Sequence, residues 1–213
     1  MKNKKLFVFS LVFLAIIGLV VFFLRDLVFG GVVTTYDIAC RDTDAYSDQW
    51  VSYEVAGCLG EYCEGTDSYG FIPTGHQYYY VVWMNDGSFM PISVSKKADK
   101  EYLDSLTDAT YYYLDDKTDY IMSEPRTFVG TVKKTQESEA AGYYREALDD
   151  FGINGMEYTI HNELFDCTSS KTYYIVIISL LTCLPIICII VSFVSEGPKT
   201  KKQLQSEETF LPQ

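Results

Sequence analysis

Histidine is nearly missing from this chain: only His76 and His161 occur in 213 residues. That scarcity removes most imidazole chemistry, because zinc sites and general bases near neutral pH draw on this side chain. No His-x-x-x-His and no Gly-x-Ser-x-Gly occurs either, so zinc-peptidase and serine-hydrolase arrangements have no local support. A Cys-x-x-Cys is also absent; Cys58 and Cys63 are separated by Leu-Gly-Glu-Tyr, which argues against a redox dithiol. Basic residues are few in the middle of the chain, where Gly30 to Thr172 holds 10 Lys or Arg against 25 Asp or Glu. Such an excess of negative charge disfavours a strongly basic surface for nucleic acid or anionic lipid. Two stretches, Leu6 to Leu24 and Tyr173 to Val194, lack charge altogether, which argues against an ion or proton pathway through them.

What these uncharged stretches do contain is apolar residues. The first is 19 residues with Ser10 as its polar interruption, reaching about 28 Å as a helix. The second opens with Tyr173 and Tyr174, amphipathic rings suited to a headgroup boundary. Met1, Lys2, Lys4 and Lys5 would serve a signal peptide. The apolar run is longer than a typical signal core of about 7 to 15 residues, however, and Arg25, Asp26 and Leu27 follow where small residues are needed for cleavage. An uncleaved anchor is therefore expected. Lys2, Lys4 and Lys5 before the first run and Lys199, Lys201 and Lys202 after the second place both termini in the cytoplasm. The expected layout is a cytoplasmic start (1–5), a first span (6–27), an extracytoplasmic domain (28–172), a second span (173–194) and a cytoplasmic tail (195–213), in a cell membrane. Pro185 should kink the second span near Leu181, with Thr182 helping to satisfy the freed carbonyls.

The middle segment is long enough for one domain with its own core. It holds 16 of the 18 tyrosines, which favour strands and a half-buried surface. Its four cysteines, Cys40, Cys58, Cys63 and Cys167, suggest two disulfides outside the cytoplasm. The preferred pairing is Cys58 with Cys63 and Cys40 with Cys167, since the latter two each lie near a span. Cys183 and Cys188 sit in the second apolar run and read as small apolar filler.

Local patterns give the order of elements. Val32 to Cys40 is extended, and Trp50 to Ala56 alternates as a strand. Gly57 to Gly75, rich in glycine, reads as a loop. His76 to Met84 and Ser88 to Ser95 form a hairpin through Asn85-Asp86-Gly87. Ser95 should cap a helix that presents Ala98, Tyr102, Leu103 and Leu106 on one face, with Asp99 and Glu101 in its first turns. Tyr111 to Met122 is ambiguous. Thr127 to Lys134 is a strand whose Gly130 marks a bulge or a close backbone approach. A second helix runs from Gln136 to Asp150 with a stripe of Ala140, Ala141, Tyr144, Leu148 and Phe151, capped by Gly152. Asn154-Gly155 turns into a last strand, Met156 to Ile160. The sum is an α+β domain with a mainly antiparallel sheet and two helices, of which a small oligonucleotide/oligosaccharide-binding (OB-like) barrel is a variant.

The run YYYVVWMNDGSFMPISVSKK, a short helix, then FVGTVKKTQ and a helix ending in Phe151-Gly152 resembles a family of uncharacterised membrane proteins from Gram-positive bacteria. The resemblance implies a span, an extracytoplasmic domain and a second span. It carries no catalytic residue.

Candidate sites are few. Asp42, Asp44 and Asp48 share one loop and Asp115, Asp116 and Asp119 another, as hard cations require, yet neither fits a twelve-residue calcium loop and a solvated loop is the preferred reading. Tyr78 and Tyr80, with Tyr111 and Tyr113, could form an aromatic surface for sugar or peptide, although strand alternation sends part of each run into the core. No cofactor, metal or catalytic residue is indicated. The expected function is a non-enzymatic binding or accessory subunit acting on another membrane or envelope protein, with the lipid bilayer as its other partner. An assembly protein laid out like polysaccharide chain-length regulators, or an envelope hydrolase built around His76 or His161, are the alternatives.

Overall fold

The computed structural model describes residues 4–47, 49–69, 72–121, 123–134, 140–153 and 158–194. In chain order the elements are α1 (Lys4–Phe23), α2 (Arg25–Phe29), β1 (Val32–Thr35), α3 (Tyr36–Ala39), β2 (Trp50–Val55), β3 (Gly57–Tyr69), β4 (Ile72–Trp83), β5 (Phe89–Val94), α4 (Lys97–Leu114), β6 (Arg126–Lys134), α5 (Ala141–Asp150), β7 (Glu163–Asp166) and α6 (Lys171–Val194). They fall into two units, Met1–Val28 with Thr172–Gln213, and Phe29–Lys171.

In the first unit, α1 and α6 have 20 and 24 residues and are long and apolar enough to cross a membrane. Phe7 near the start of α1 meets Phe193 near the end of α6 edge-on, with centroids 5.7 Å apart, so the two helices run antiparallel there. Ser10 and Ser192 are buried, and each hydroxyl donates to a carbonyl of its own helix, Leu6 and Ile189. Pro185 lies inside a continuous α6. Thr182 donates to the carbonyls of Ile178 and Ser179, one turn earlier than the Leu181 carbonyl that the proline leaves open.

The second unit is built on a seven-stranded mixed sheet in the order β1-β2-β6-β7-β5-β4-β3. Pairs β1/β2 and β5/β7 are parallel; the other four are antiparallel. The sheet is open, with β1 and β3 at its edges, so the barrel variant does not hold. Alternation along β4 and β5 explains the two layers. Tyr80, Val82, Met90, Ile92 and Val94 point to the face covered by α3 and α4, where Leu103 and Leu106 complete the core. Val81 and Phe89 point to the opposite face, against Tyr144, Ala147 and Leu148 of α5. All six residues of β5 are buried, as a strand covered on both faces requires.

The hairpin, the body of both long helices and β6 lie where the sequence puts them, but α5 begins at Ala141 rather than Gln136, and α4 is capped by Lys96 because the Ser95 hydroxyl donates to the Thr168 carbonyl instead. Gly152 has φ 71° at the end of α5, the left-handed conformation that a helix stop uses. The Asn154-Gly155 turn, the start of the Met156–Ile160 strand and residues 136–139 lie outside the described residues. Ile160 forms an isolated bridge to Phe89, and the last strand is β7, three residues further on. The segment read as a loop is the long strand β3, with register shifts at Cys58/Gly60, Glu61/Cys63 and Asp67/Ser68. Ala98 is exposed; the buried residue of the first turn of α4 is Asp99, held by Arg126 Nη2 at 2.5 Å.

One carboxylate fixes the central strand. Asp166 is almost fully buried, and its Oδ1 accepts from Ser93 Oγ (3.1 Å), the Thr168 amide (3.0 Å) and Thr168 Oγ1 (2.6 Å), while Oδ2 pairs with Lys133. Burial pushes this carboxyl up, but Lys133 and Thr168 outweigh burial and hold it below its ordinary value of 3.8. Opposite, Gly130 fulfils its expected role of close approach: a Cβ there would overlap the Asp166 carbonyl and come within 2.8 Å of Cys167 Sγ.

Candidate functional site

The two tyrosine runs separate. Tyr80 is fully buried, and its hydroxyl donates to Asp104 Oδ1 at 2.6 Å. Lys100 closes the network, reaching Glu61 Oε2 at 2.7 Å and Asp104 Oδ2 at 3.2 Å, and stands 4.8 Å over the Tyr78 ring. Burial first, then Asp104 and Glu61, push the Tyr80 phenol well above its ordinary range. Tyr78 and Tyr80 therefore tie α4 to the sheet and do not present a platform. Tyr111 and Tyr113 belong to the last turn of α4, which continues the helix into the ambiguous segment. Tyr111 is exposed, and Tyr113 turns toward Trp83, centroids 6.2 Å apart.

Beside that contact lies an aromatic cleft, to which Tyr113 is the one contributor among the four tyrosines singled out in the sequence. It is about 440 Å³ and is lined by Trp83, Tyr113, Tyr120, Asn85, Asp119 and Ile121, among others. The end of β4 and the hairpin turn supply Trp83 and Asn85, and the chain after α4 supplies Asp119 and Tyr120. Gly57 makes room for the indole, since a Cβ there would lie 3.3 Å from Trp83 Cβ and 3.4 Å from Ile121 Cδ1. Trp83 Nε1 is buried with no acceptor among the described residues, a donor of the kind a ligand oxygen satisfies. Tyr120 is two-thirds exposed at the rim. Trp83, Tyr120 and Asn85 went unrecognised in the sequence, and Asp119 was grouped there with its acidic neighbours, since nothing local links a hairpin turn to a segment some 35 residues later.

All six cysteines are free thiols, which corrects the expected disulfides. Cys58 and Cys63 lie on one strand, opposite Val82 and Tyr79, so their Cα atoms are roughly 10 to 16 Å apart at ~3.3 Å per residue, beyond the ~7 Å a bridge allows. Cys40 and Cys167 lie toward opposite ends of β7. The Tyr36 hydroxyl donates to the Glu163 carbonyl at the beginning of that strand, and Cys40 Sγ stands 3.5 Å from His161 Nδ1, whereas Cys167 follows its far end.

The cysteine and histidine that meet are Cys40 and His161. Burial, then Glu163 and Asp37, push the Cys40 thiol up to about 11, which leaves it protonated and a poor nucleophile. His76 lies on the surface, 3.0 Å from Glu64 Oε1. Ser93-Val94-Ser95-Lys96 has a Ser-x-x-Lys spacing, but Ser93 is buried on Asp166 in β5 while Lys96 lies beyond the strand, at the cap of α4. Of the acidic clusters, Asp42 accepts from the Ala45 amide at 3.1 Å, Asp44 pairs with Lys134 at 2.6 Å and Asp115 with Lys117 at 2.8 Å. Asp48 lies outside the described residues. No metal-holding group of three occurs among the described residues.

Among known proteins, a family model described as "Domain of unknown function (DUF8577)" matches residues 1–194. No curated protein and no solved structure matches the chain.

Proposed function

We propose, for a chain that belongs to the DUF8577 family, a two-span membrane protein whose central domain acts as a non-enzymatic binding or accessory subunit. In this reading both termini lie in the cytoplasm, and the domain faces a cell envelope of the Gram-positive kind that the sequence resembles. α1 and α6 support it: at ~1.5 Å per residue they reach about 30 and 36 Å, enough for a hydrocarbon core. The lysines flanking them favour the orientation.

The observation that carries the binding role is the Trp83–Tyr113–Tyr120 cleft with its unpartnered indole N–H. Aromatic faces beside an amide and a carboxylate suit a sugar or peptide segment of an envelope partner. A binding role is favoured over hydrolysis because neither histidine lines this cleft, and the thiol beside His161 is held protonated. Chain-length regulators have domains of long helices, whereas strands dominate here.

The test is photo-crosslinking in native membranes with a benzophenone amino acid at Tyr120, and at exposed Tyr143 on α5 as control. A recurrent adduct from position 120, absent from 143 and lost with Trp83→Ala, is expected. Identical adducts from both positions would refute the cleft as the binding surface.

A further inference from the structure

A second cleft reverses the charge of the domain that contains it. It measures about 310 Å³, and its charged lining is Lys96, Arg126 and Lys171 against the single carboxylate of Asp99. Asp99 is already matched by Arg126 at 2.5 Å. Neither Lys96 nor Lys171 has an ion pair among the described residues, in a segment where acids outnumber bases 25 to 10. Two positive charges are thus left over around one hollow.

The fold brings these cations together from positions far apart in sequence. Ser95 Oγ donates to the Thr168 carbonyl at 3.2 Å and the Cys167 amide to the Ser93 carbonyl at 2.9 Å, so the lead into α4 and the lead into α6 run side by side. Asp166 holds the second lead in place through the Thr168 amide and hydroxyl. The start of α4 adds the positive end of its helix dipole. Lys96 caps this 18-residue helix without a side-chain acceptor, and the Asp99 and Lys100 amides bond to the Lys96 carbonyl. Asp99, which the first turn places where a carboxylate could cap, is drawn to Arg126 instead. Thr127 and Ser169 add hydroxyls to the lining.

A compact anion with several acceptor oxygens satisfies this set, and a phosphate does so best. Chain connectivity indicates where it comes from. Lys171 is the first residue of α6, and Val32 follows the end of α2 by three residues, about 10 Å of chain at most. Resting on the reading of α1 and α6 as membrane spans, we propose that this cleft binds the phosphate of an anionic phospholipid headgroup.

The test uses the full-length chain in an uncharged maltoside detergent, titrated with dihexanoyl-phosphatidylglycerol, dihexanoyl-phosphatidylcholine or inorganic phosphate, with thermal stabilisation as the readout. Phosphatidylglycerol should stabilise in a saturable, salt-sensitive way and at lower concentration than phosphatidylcholine. Lys96→Ala/Lys171→Ala should raise its half-saturating concentration roughly 25-fold, about fivefold per cation. Arg41→Ala/Lys117→Ala, which removes equal charge from exposed sites outside the cleft, should leave it unchanged. Equal response to both lipids, saturation by inorganic phosphate at the same concentration as the lipid, or wild-type binding by the Lys96/Lys171 variant would each overturn the proposal. Alkaline carbonate extraction of native membranes tests the spans separately: release of the protein would refute the anchors and leave the lipid titration standing.

Discussion

Replacing Asp166 by asparagine keeps the shape of a buried side chain and removes its charge, which makes the contribution of that charge measurable. The amide oxygen of the Asp166→Asn variant would still accept from Ser93 Oγ, the Thr168 amide and Thr168 Oγ1. Each of these three bonds would become neutral, at about 1 kcal/mol less per bond. The lost pairing with Lys133 adds little, because that lysine is more than half exposed and is solvated when released. A neutral amide is cheaper to bury, which offsets about 1 kcal/mol of the total. The net loss is about 2 kcal/mol, or roughly 6 to 8 °C in melting temperature for a domain of this size. Fluorescence melts of the full-length protein in detergent report it through Trp50, which is almost wholly buried. Because the folded-state carboxyl is held below its ordinary value of 3.8, its stabilisation is complete above the unfolded value and is lost as pH falls through the folded one. The gap between wild type and Asp166→Asn should therefore be full from about pH 5 to 7 and close below about pH 4. Equal melting temperatures at neutral pH, or a gap that persists unchanged into strong acid, would refute the account.

Gly130→Ala, whose methyl group would meet the Asp166 carbonyl and Cys167, should cost about 2 kcal/mol, measured as a lower urea midpoint; an unchanged midpoint would show that β6 and β7 separate without penalty. Tyr80→Phe removes the hydroxyl bonded to Asp104 and should cost about 1 to 2 kcal/mol. It should leave the alkaline tyrosine absorbance titration below about pH 11 unaltered, since burial and the two carboxylates already keep that phenol protonated. Maleimide labelling under mildly alkaline conditions should reach Cys63 in the folded domain, whereas Cys58, its thiol pushed up to about 12 by burial, and Cys167 should label only in denaturant. A rise in labelling after reduction would reveal a disulfide that this structure lacks.

Elements whose signals are local could be read directly from sequence. Asn85-Asp86-Gly87 specifies its own turn, Leu103 and Leu106 specify the buried face of α4, and Gly130 marks a close approach whatever the partner. Where long-range packing overrides composition, the sequence misleads. β3 carries glycine at a rate typical of loops, yet Gly60, at φ 145°, sits in one of its bulges and receives the Phe151 ring, so a residue that weakens most strands is what this one requires. β7 is four residues with charged ends, too short for periodicity to register, and is defined by its neighbours β6 and β5. Tyr111–Tyr113 are mediocre helix formers that remain helical as the end of a packed helix. The site residues fared worst: Trp83 and Tyr120, like Lys96, Arg126 and Lys171, are ordinary in sequence and become a group only through the topology.

The place of β7 in the sheet also constrains the order of events during synthesis. Strands β1, β2 and β6 form one ribbon and β3, β4 and β5 another, and β7, the last strand made, lies between them. While the chain is growing, the ribbons can each pair internally, but the flanks of β5 and β6 stay unzipped until residues 163–166 arrive, directly ahead of α6. The domain must therefore wait, two-part and sticky-edged, for its final strand, which only four residues separate from the second apolar helix.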